Sequence, residues 1–281
     1  MIPSLGGIFF VMKFYGNIRK MKASIGEEVN YFLPLFDNLN PSEEIFMNEL
    51  IGQTISISYS GSINCVVSGK RIKKTYGDGM SYDAFKSSPL AVESIIRPEL
   101  SKIHEGIALR DYEWEMKHHL QPHYVYLSKT AGVKVGVTRT TQIPTRWIDQ
   151  GAVEALIIAE TPYRQAAGLI EIALKNHILD RTNWRKMLQN NLVDNDLYEV
   201  RENLIPIIDD ELSQYVKKSE TISQINFPVI KYPEKVKSVG LDKNPLIEEK
   251  LVGIKGQYLL FDNDTVFNMR KHTGYLIELS Y

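Results

Sequence analysis

The plainest alternation in the chain lies at Ile55, Ile57 and Tyr59, which take turns with Ser56, Ser58 and Ser60. A period of two with one apolar face predicts a half-buried strand. Two more β-like runs, Tyr124 to Leu127 and Val133 to Thr138, are split by the turn Lys129-Thr-Ala-Gly132, and that spacing predicts a tight antiparallel hairpin. Pro144 then opens a short helix, Thr145 to Gln150, which Gly151 closes, because helices favour proline at the start and glycine past the end. Ala152 to Ala159 reads as a strand. Thr161-Pro162 pairs a capping residue with a first-turn proline ahead of a helix running to about Leu179. The order through this stretch is strand, strand, helix, strand, helix.

Around that centre the pattern divides the chain into four stretches. Residues 1–64 read as β-rich, with Asn40-Pro41, Ser42 and Glu43-Glu44 marking a turn that feeds a short helix toward Leu50. Residues 65–120 are loop-rich, punctuated by Gly69, Gly77, Gly79, Pro89 and Pro98, and turn helical from Tyr112 to Leu120. Residues 121–190 hold the module above. Residues 191–281 begin with acidic amphipathic helices between Asp194 and Lys218, broken at Pro206, and end in short strands at Gln257 to Phe261 and Tyr275 to Leu279. The whole predicts an α+β fold: a small central antiparallel sheet with helices, flanked by β-rich N- and C-terminal regions.

Composition narrows the classes. Of 281 residues, 43% are apolar and 24% charged, which argues for a globular protein and against disorder. Lys and Arg number 33 against 34 Asp and Glu, so the net charge of -1 cannot draw nucleic acid by bulk attraction; any such affinity needs a local site. The one cysteine, Cys65, excludes an internal disulfide and a four-cysteine zinc site. No apolar run approaches the roughly 20 residues that span a bilayer. The apolar opening from Met1 to Val11 precedes its first basic residue, Lys13, the reverse of signal-peptide order, and Met12 is an alternative start. The expectation is a soluble cytoplasmic protein with no membrane partner.

Residues 124–190 resemble the GIY-YIG nuclease superfamily. Tyr124-Val125-Tyr126 stands where that family has its first strand signature. Lys134-Val135-Gly136 stands at the second, in the branch that reads Lys-Ile-Gly. Arg146 lies ten residues past Gly136 on the following helix, and Glu171 sits in the next long one, like the family's metal-binding glutamate. A second resemblance covers nearly the whole chain. Arg97-Pro-Glu-Leu100, His104-Glu-Gly106, Arg110-Asp111, His123 to Leu127, Lys134 to Arg139, Arg146 to Ala152, Asp180 to Arg185, Lys237 to Asp242 and Gly253 to Tyr258 are similar to an uncharacterised bacterial family, domain of unknown function 2797. That family resembles a zinc-ribbon protein in its second stretch. Here the ribbon positions read Cys65, Ser68, Ser81 and Ala84, with Ser101 at a further one, and serine hydroxyls do not replace thiolates in tetrahedral zinc. No structural zinc is expected.

The GIY-YIG resemblance implies phosphodiester chemistry with Mg2+ or another divalent cation. Glu171 would supply the metal ligand, Arg146 a planar cation for developing phosphorane charge, and Tyr126 a base or water-positioning phenol. Lys134 adds a point charge on the same hairpin, and His123 opens its first strand. Arg139 and Arg164 are candidates for nucleic-acid contacts. Each has a blander reading: tyrosine favours strands, Arg146 can lie beside Trp147, and Glu171 can pair with Lys175 one turn on. Pro122 prevents His119 and His123 from aligning on one helix face, so His104, His118 and His119 read as structural rather than metal-binding, while His123, at the start of the site's first strand, stays a catalytic candidate. Three functions stay open: a metal-dependent nuclease acting on DNA or RNA, a nucleic-acid-binding or assembly module without catalysis, and an enzyme of other chemistry on the same scaffold.

Overall fold

The computed structural model describes residues 11–178, 183–218 and 221–281. The first stretch supplies β1 (Lys13–Ile18), β2 (Lys22–Ser24), β3 (Asn30–Asp37), β4 (Asn40–Phe46) and β5 (Thr54–Asn64), with β6 (Arg71–Ile72) just beyond. Helix α1 (Tyr82–Ser87), a run of 3-10 turns and α2 (Tyr112–His119) follow. The centre is β7 (His123–Lys129), β8 (Val133–Arg139), α3 (Thr145–Asp149), β9 (Glu154–Thr161) and α4 (Arg164–Lys175). After it come α5 (Trp184–Leu188), α6 (Leu197–Leu204), α7 (Asp210–Ser213) and β10 (Ser223–Gln224). The chain closes with β11 (Lys237–Val239), β12 (Leu246–Lys255), β13 (Tyr258–Phe261), β14 (Thr265–Asn268) and β15 (Tyr275–Ser280).

The fold is α+β, built on two sheets. Strands from both ends of the chain share an 11-stranded sheet, in the order β11-β14-β13-β12-β5-β15-β1-β3-β2, with β4 on β3 and β6 on β5. Strand β5 sits between β12 and β15 with Ile57 opposite both Ile247 and Leu279, so its alternating isoleucines face the core and its serines face outward. The second sheet runs β10-β9-β7-β8, antiparallel throughout, which leaves β8 as an edge. One face of this small sheet is covered by α4 and α6, with Ala167, Ile170 and Leu174 of the first and Leu197 and Leu204 of the second packed in one core with Val125 and Leu127. Its other face turns Tyr126 toward Trp147 and Ile148 of α3, which pack in the same core as the large sheet. Helix α3 is therefore the layer between the two sheets.

Two details depart from the expectation. Asn40 to Phe46 is not a turn and helix but strand β4, because the chain reverses two residues earlier, at Asn38 with φ 58, and only Met47–Leu50 winds into a 3-10 turn. Pro41 is tolerated there because β4 pairs only with β3 among the described strands and the register slips beside it, between Leu35 and Phe36. Thr161 does not cap α4: it ends β9, its hydroxyl donating to the carbonyls of Tyr163 and His123, and Tyr163 occupies the cap position. Helix α4 ends at Lys175, and Leu179 lies outside the described residues, as do Asp180 to Thr182 and the first ten residues. No helix among the described residues is long and apolar enough to cross a membrane.

The end of α3 is the joint of the molecule. The Asp149 carboxylate, its side chain only 4% exposed, pairs with the Lys20 ammonium and accepts from Gln257 Nε2 at 2.9 Å. Gly256, in the tight link between β12 and β13, has φ +63, and a Cβ there would come 3.1 Å from the Asp149 carbonyl. Close approach also governs α4, where a Cβ on Gly168 would lie 2.3 Å from the Glu99 backbone nitrogen in the turn Pro98–Leu100. Backbone cannot swing aside as a side-chain tip does. Gly168→Ala should accordingly destabilise the protein by about 1–3 kcal/mol, the usual cost of overpacking. Urea denaturation checks this, and an unchanged midpoint would contradict the contact.

Candidate functional site

Tyr126 and Gly136 face each other across β7 and β8. The tyrosine ring lies so flat on Gly136 that a Cβ there would sit 2.6 Å from both Cζ and Oη, which explains why this strand position carries no side chain. The phenol is buried and accepts a 2.9 Å hydrogen bond from Gln150 Nε2, while Ser128 Oγ donates to the other end of that amide at 3.3 Å. Burial pushes the phenol pKa up and Glu171 adds to the rise, whereas Arg146 and Gln150 oppose it. A phenol in that state donates a hydrogen bond and does not take a proton near neutrality.

Arg146 and Gln150 are four apart at the α3 end, so one helix brings both to Tyr126. Glu171, half-buried on α4, completes the group. Burial raises its carboxyl pKa, Lys175, Arg164 and Arg146 pull it back, and Glu99 pushes it further up. Tyr126, Arg146 and Glu171 thus lie within one another's electrostatic reach.

Beside them opens a cleft of about 250 Å³ lined by Trp114, His118, Arg139, Gln142, Arg146 and Arg164, among others. Arg139 Nη1 donates to His118 Nδ1 at 2.5 Å, and the His118 ring packs on Trp114 with centroids 4.3 Å apart. Burial and the Arg139 charge lower the His118 pKa, so the imidazole is a neutral acceptor. Arg164 is buried, with Nε on the Ser94 carbonyl at 2.7 Å and Nη2 on that of Ile95 at 2.9 Å. Burial brings its guanidinium down to about 10, offset by Glu171, and it stays charged at neutral pH.

The sequence candidates therefore divide. Arg139, Arg146 and Arg164 line the cleft, with Tyr126 and Glu171 close to Arg146. Lys134 is half-buried on β8 opposite Ser128 and does not line the cleft. His123 is buried, with Nδ1 on the Gln121 carbonyl at 2.7 Å and Nε2 enclosed without a hydrogen-bond partner among the described residues. Reasoning on sequence missed Trp114, Gln142, Gln150 and Glu99. Gln150 was legible from its four-residue spacing to Arg146; Glu99 was not, since only the missing side chain of Gly168 lets its turn reach α4.

The model of a family described as a protein of unknown function (DUF2797) matches residues 52–277. The chain belongs to that family. No curated protein and no solved structure matches it. The DUF2797 span runs through every residue of the cleft and through the stretch around Cys65. There, Cys65 Sγ accepts from the backbone N–H of Ser81 at 3.2 Å and of Ser68 at 3.5 Å, and Ser81 Oγ accepts from Ala84 N at 3.2 Å. Positions 65, 68, 81 and 84 thus meet around one sulfur. Burial alone would push this thiol up, but the Ser68, Ser81 and Val67 donors outweigh it and bring it down to about 6. Among the described residues no three His, Cys, Asp or Glu side chains gather as metal donors.

Two outcomes follow from this chemistry. With Ser68, Ser81 and Ala84 around the one cysteine, no tetrahedral thiolate set forms there, so the purified protein should carry no stoichiometric zinc, and metal analysis that found it would overturn this expectation. The buried histidines set a pH dependence. Burial lowers His119 to about 3 and His123 to about 4, from an ordinary 6.5. Both are neutral when folded and protonate near 6.5 when unfolded, so the stability they confer is complete above that pH and is lost as pH falls toward 4. His119→Gln should flatten the fall of Tm between about pH 6.5 and 4 by roughly one proton. Parallel Tm curves for the two proteins would refute the buried-neutral assignment.

Proposed function

We propose that the cleft binds phosphodiesters of DNA or RNA and that Tyr126, Arg146 and Glu171 form a nuclease-like centre on a GIY-YIG-like module. One observation carries the reading: three arginines from three elements line a single cleft in a chain of net charge -1, with the Tyr126 phenol and Glu171 carboxyl beside one of them. The strand, strand, helix, strand, helix order, with Tyr126 flat on Gly136, supports the module's likeness.

The donor set fits a divalent cation in one mode only. Glu171, with Glu99 nearby, is too sparse to cage an ion unaided, but Mg2+ often keeps its waters and is held by one or two carboxylates plus substrate phosphates. When bound, the cation would neutralise phosphate charge and ease deprotonation of a water. The protein's own groups do the rest. Arg146 and Arg139 pair planar guanidiniums with phosphate oxygens. Tyr126, held neutral by burial, orients a water or phosphate oxygen by donating a hydrogen bond. Arg164 braces the cleft wall through Ser94 and Ile95 and adds fixed charge.

A second reading, binding without cleavage, draws on the full burial of Tyr126 and its Gln150 bond, which restrict its access to substrate. The two share the binding step. With two or three phosphates neutralised, log affinity should fall against log salt with a slope of roughly -2 to -3, and Arg146→Ala should flatten it by about one. Mg2+-dependent cleavage lost in Glu171→Ala supports catalysis; binding without any cleavage supports the second reading. Affinity that ignores salt would sink both.

A further inference from the structure

We propose that an apolar pocket adjoining the arginine cleft receives an unpaired nucleobase from the strand whose phosphates the cleft holds. The proposal rests on the phosphodiester reading above and deepens it, making the substrate a single-stranded or locally opened nucleic acid.

The pocket encloses about 390 Å³ between the end of α1 and the turns that follow it. Met80, Phe85, Val92 and Ile96 supply its apolar lining. Leu90 and Ile95 line both this pocket and the arginine cleft, so a single wall of two side chains separates them. Its surface is wetter than packing explains: Ile96 is 85% exposed and Leu90 52%. Contiguous exposed apolar surface of this kind marks a binding site rather than a stray residue.

The rim is charged with both signs, Arg110 and Arg270 standing with Asp78 and Glu93, and it is held in place. Arg110 Nη1 donates to the Phe85 and Ser88 carbonyls at 3.2 and 2.7 Å. Arg270 meets the Asp78 carboxylate through Nε at 3.0 Å and Nη2 at 2.8 Å. An apolar floor with a polar, mixed-charge mouth and an arginine-lined cleft behind its wall matches a nucleotide, whose flat base is apolar on both faces and whose linker is anionic. A duplex keeps its bases stacked inside, so only an unpaired or extruded base can enter. Because the lining is aliphatic and aromatic, the pocket takes any base by its face, and selectivity falls between paired and unpaired rather than among sequences.

The test uses the full chain and fluorescence anisotropy at low salt, with four probes: a mixed-sequence DNA strand, its RNA counterpart, the DNA strand with abasic sites, and the blunt DNA duplex. The expected result is about tenfold tighter binding of a base-bearing strand than of the abasic strand or the duplex. Ile96→Asn, at an exposed position, and Ala91→Phe, which fills the pocket, should each bring the ratio of base-bearing to abasic affinity close to one. A roughly tenfold preference of the wild-type protein for the base-bearing over the abasic DNA strand, lost in both variants, supports the proposal, and the RNA strand shows whether the sugar matters. Equal affinity for base-bearing and abasic strands, or a ratio that survives both substitutions, overturns it while leaving phosphate binding standing, and points the pocket toward a peptide instead. No binding of any probe at low salt overturns the phosphodiester reading, and this proposal with it.

Discussion

A carboxylate taken out of water must be met by charge and hydrogen bonds, or the fold pays several kcal/mol. Asp149 is met from both ends of the chain, by Lys20 near the start and Gln257 near the finish. Those two contacts fix where α3 stops. One residue further on, Gln150 grips the Tyr126 phenol, and three residues back Arg146 enters the cleft. The positions of two chemical groups thus depend on the links between strands of the other sheet. The large sheet is the frame that aims them.

Charge in the cleft is arranged by mutual compensation. Glu171 helps keep Arg164 protonated against burial, and Arg164 in turn restrains the rise of Glu171. Arg139 spends one donor on a neutral imidazole rather than on a carboxylate. A group so engaged keeps its positive charge while its geometry is fixed, which suits recognition of an anion arriving from solvent. Net charge near zero is no obstacle, because the field at such a site is local.

The central hairpin and α3 were legible because their signals are local: a four-residue turn, a proline before the helix, and Gly151 at φ +70 after it. The strand Asn40–Phe46 was not, since Asn-Pro reads as a turn and only pairing with β3 reveals the reversal at Asn38. The shared sheet was illegible for the same reason; Phe14 opposite Leu279 is a contact no short window contains. At the site, Arg146 and Glu171 came from family likeness and spacing. Trp114 and Glu99 depend on how loops pack against α4 and β8, and nothing in their immediate sequence announces it. His123, buried within reach of the Arg164 and Arg139 charges, and Lys134, opposite Ser128, do not line the cleft themselves.

The two carbonyls held by Arg164 have a bearing on how this protein can be dissected. Ser94 and Ile95 precede the strand-helix module in sequence, yet they complete the coordination of a guanidinium inside it. A fragment cut at residue 121 would keep the buried cation and discard its acceptors, along with the Glu99 turn seated on Gly168. The module is therefore not a portable cassette. Part of its packing is threaded in from upstream, so an insertion between residues 90 and 95 would disturb at once the acceptors of Arg164 and the wall that two cavities share.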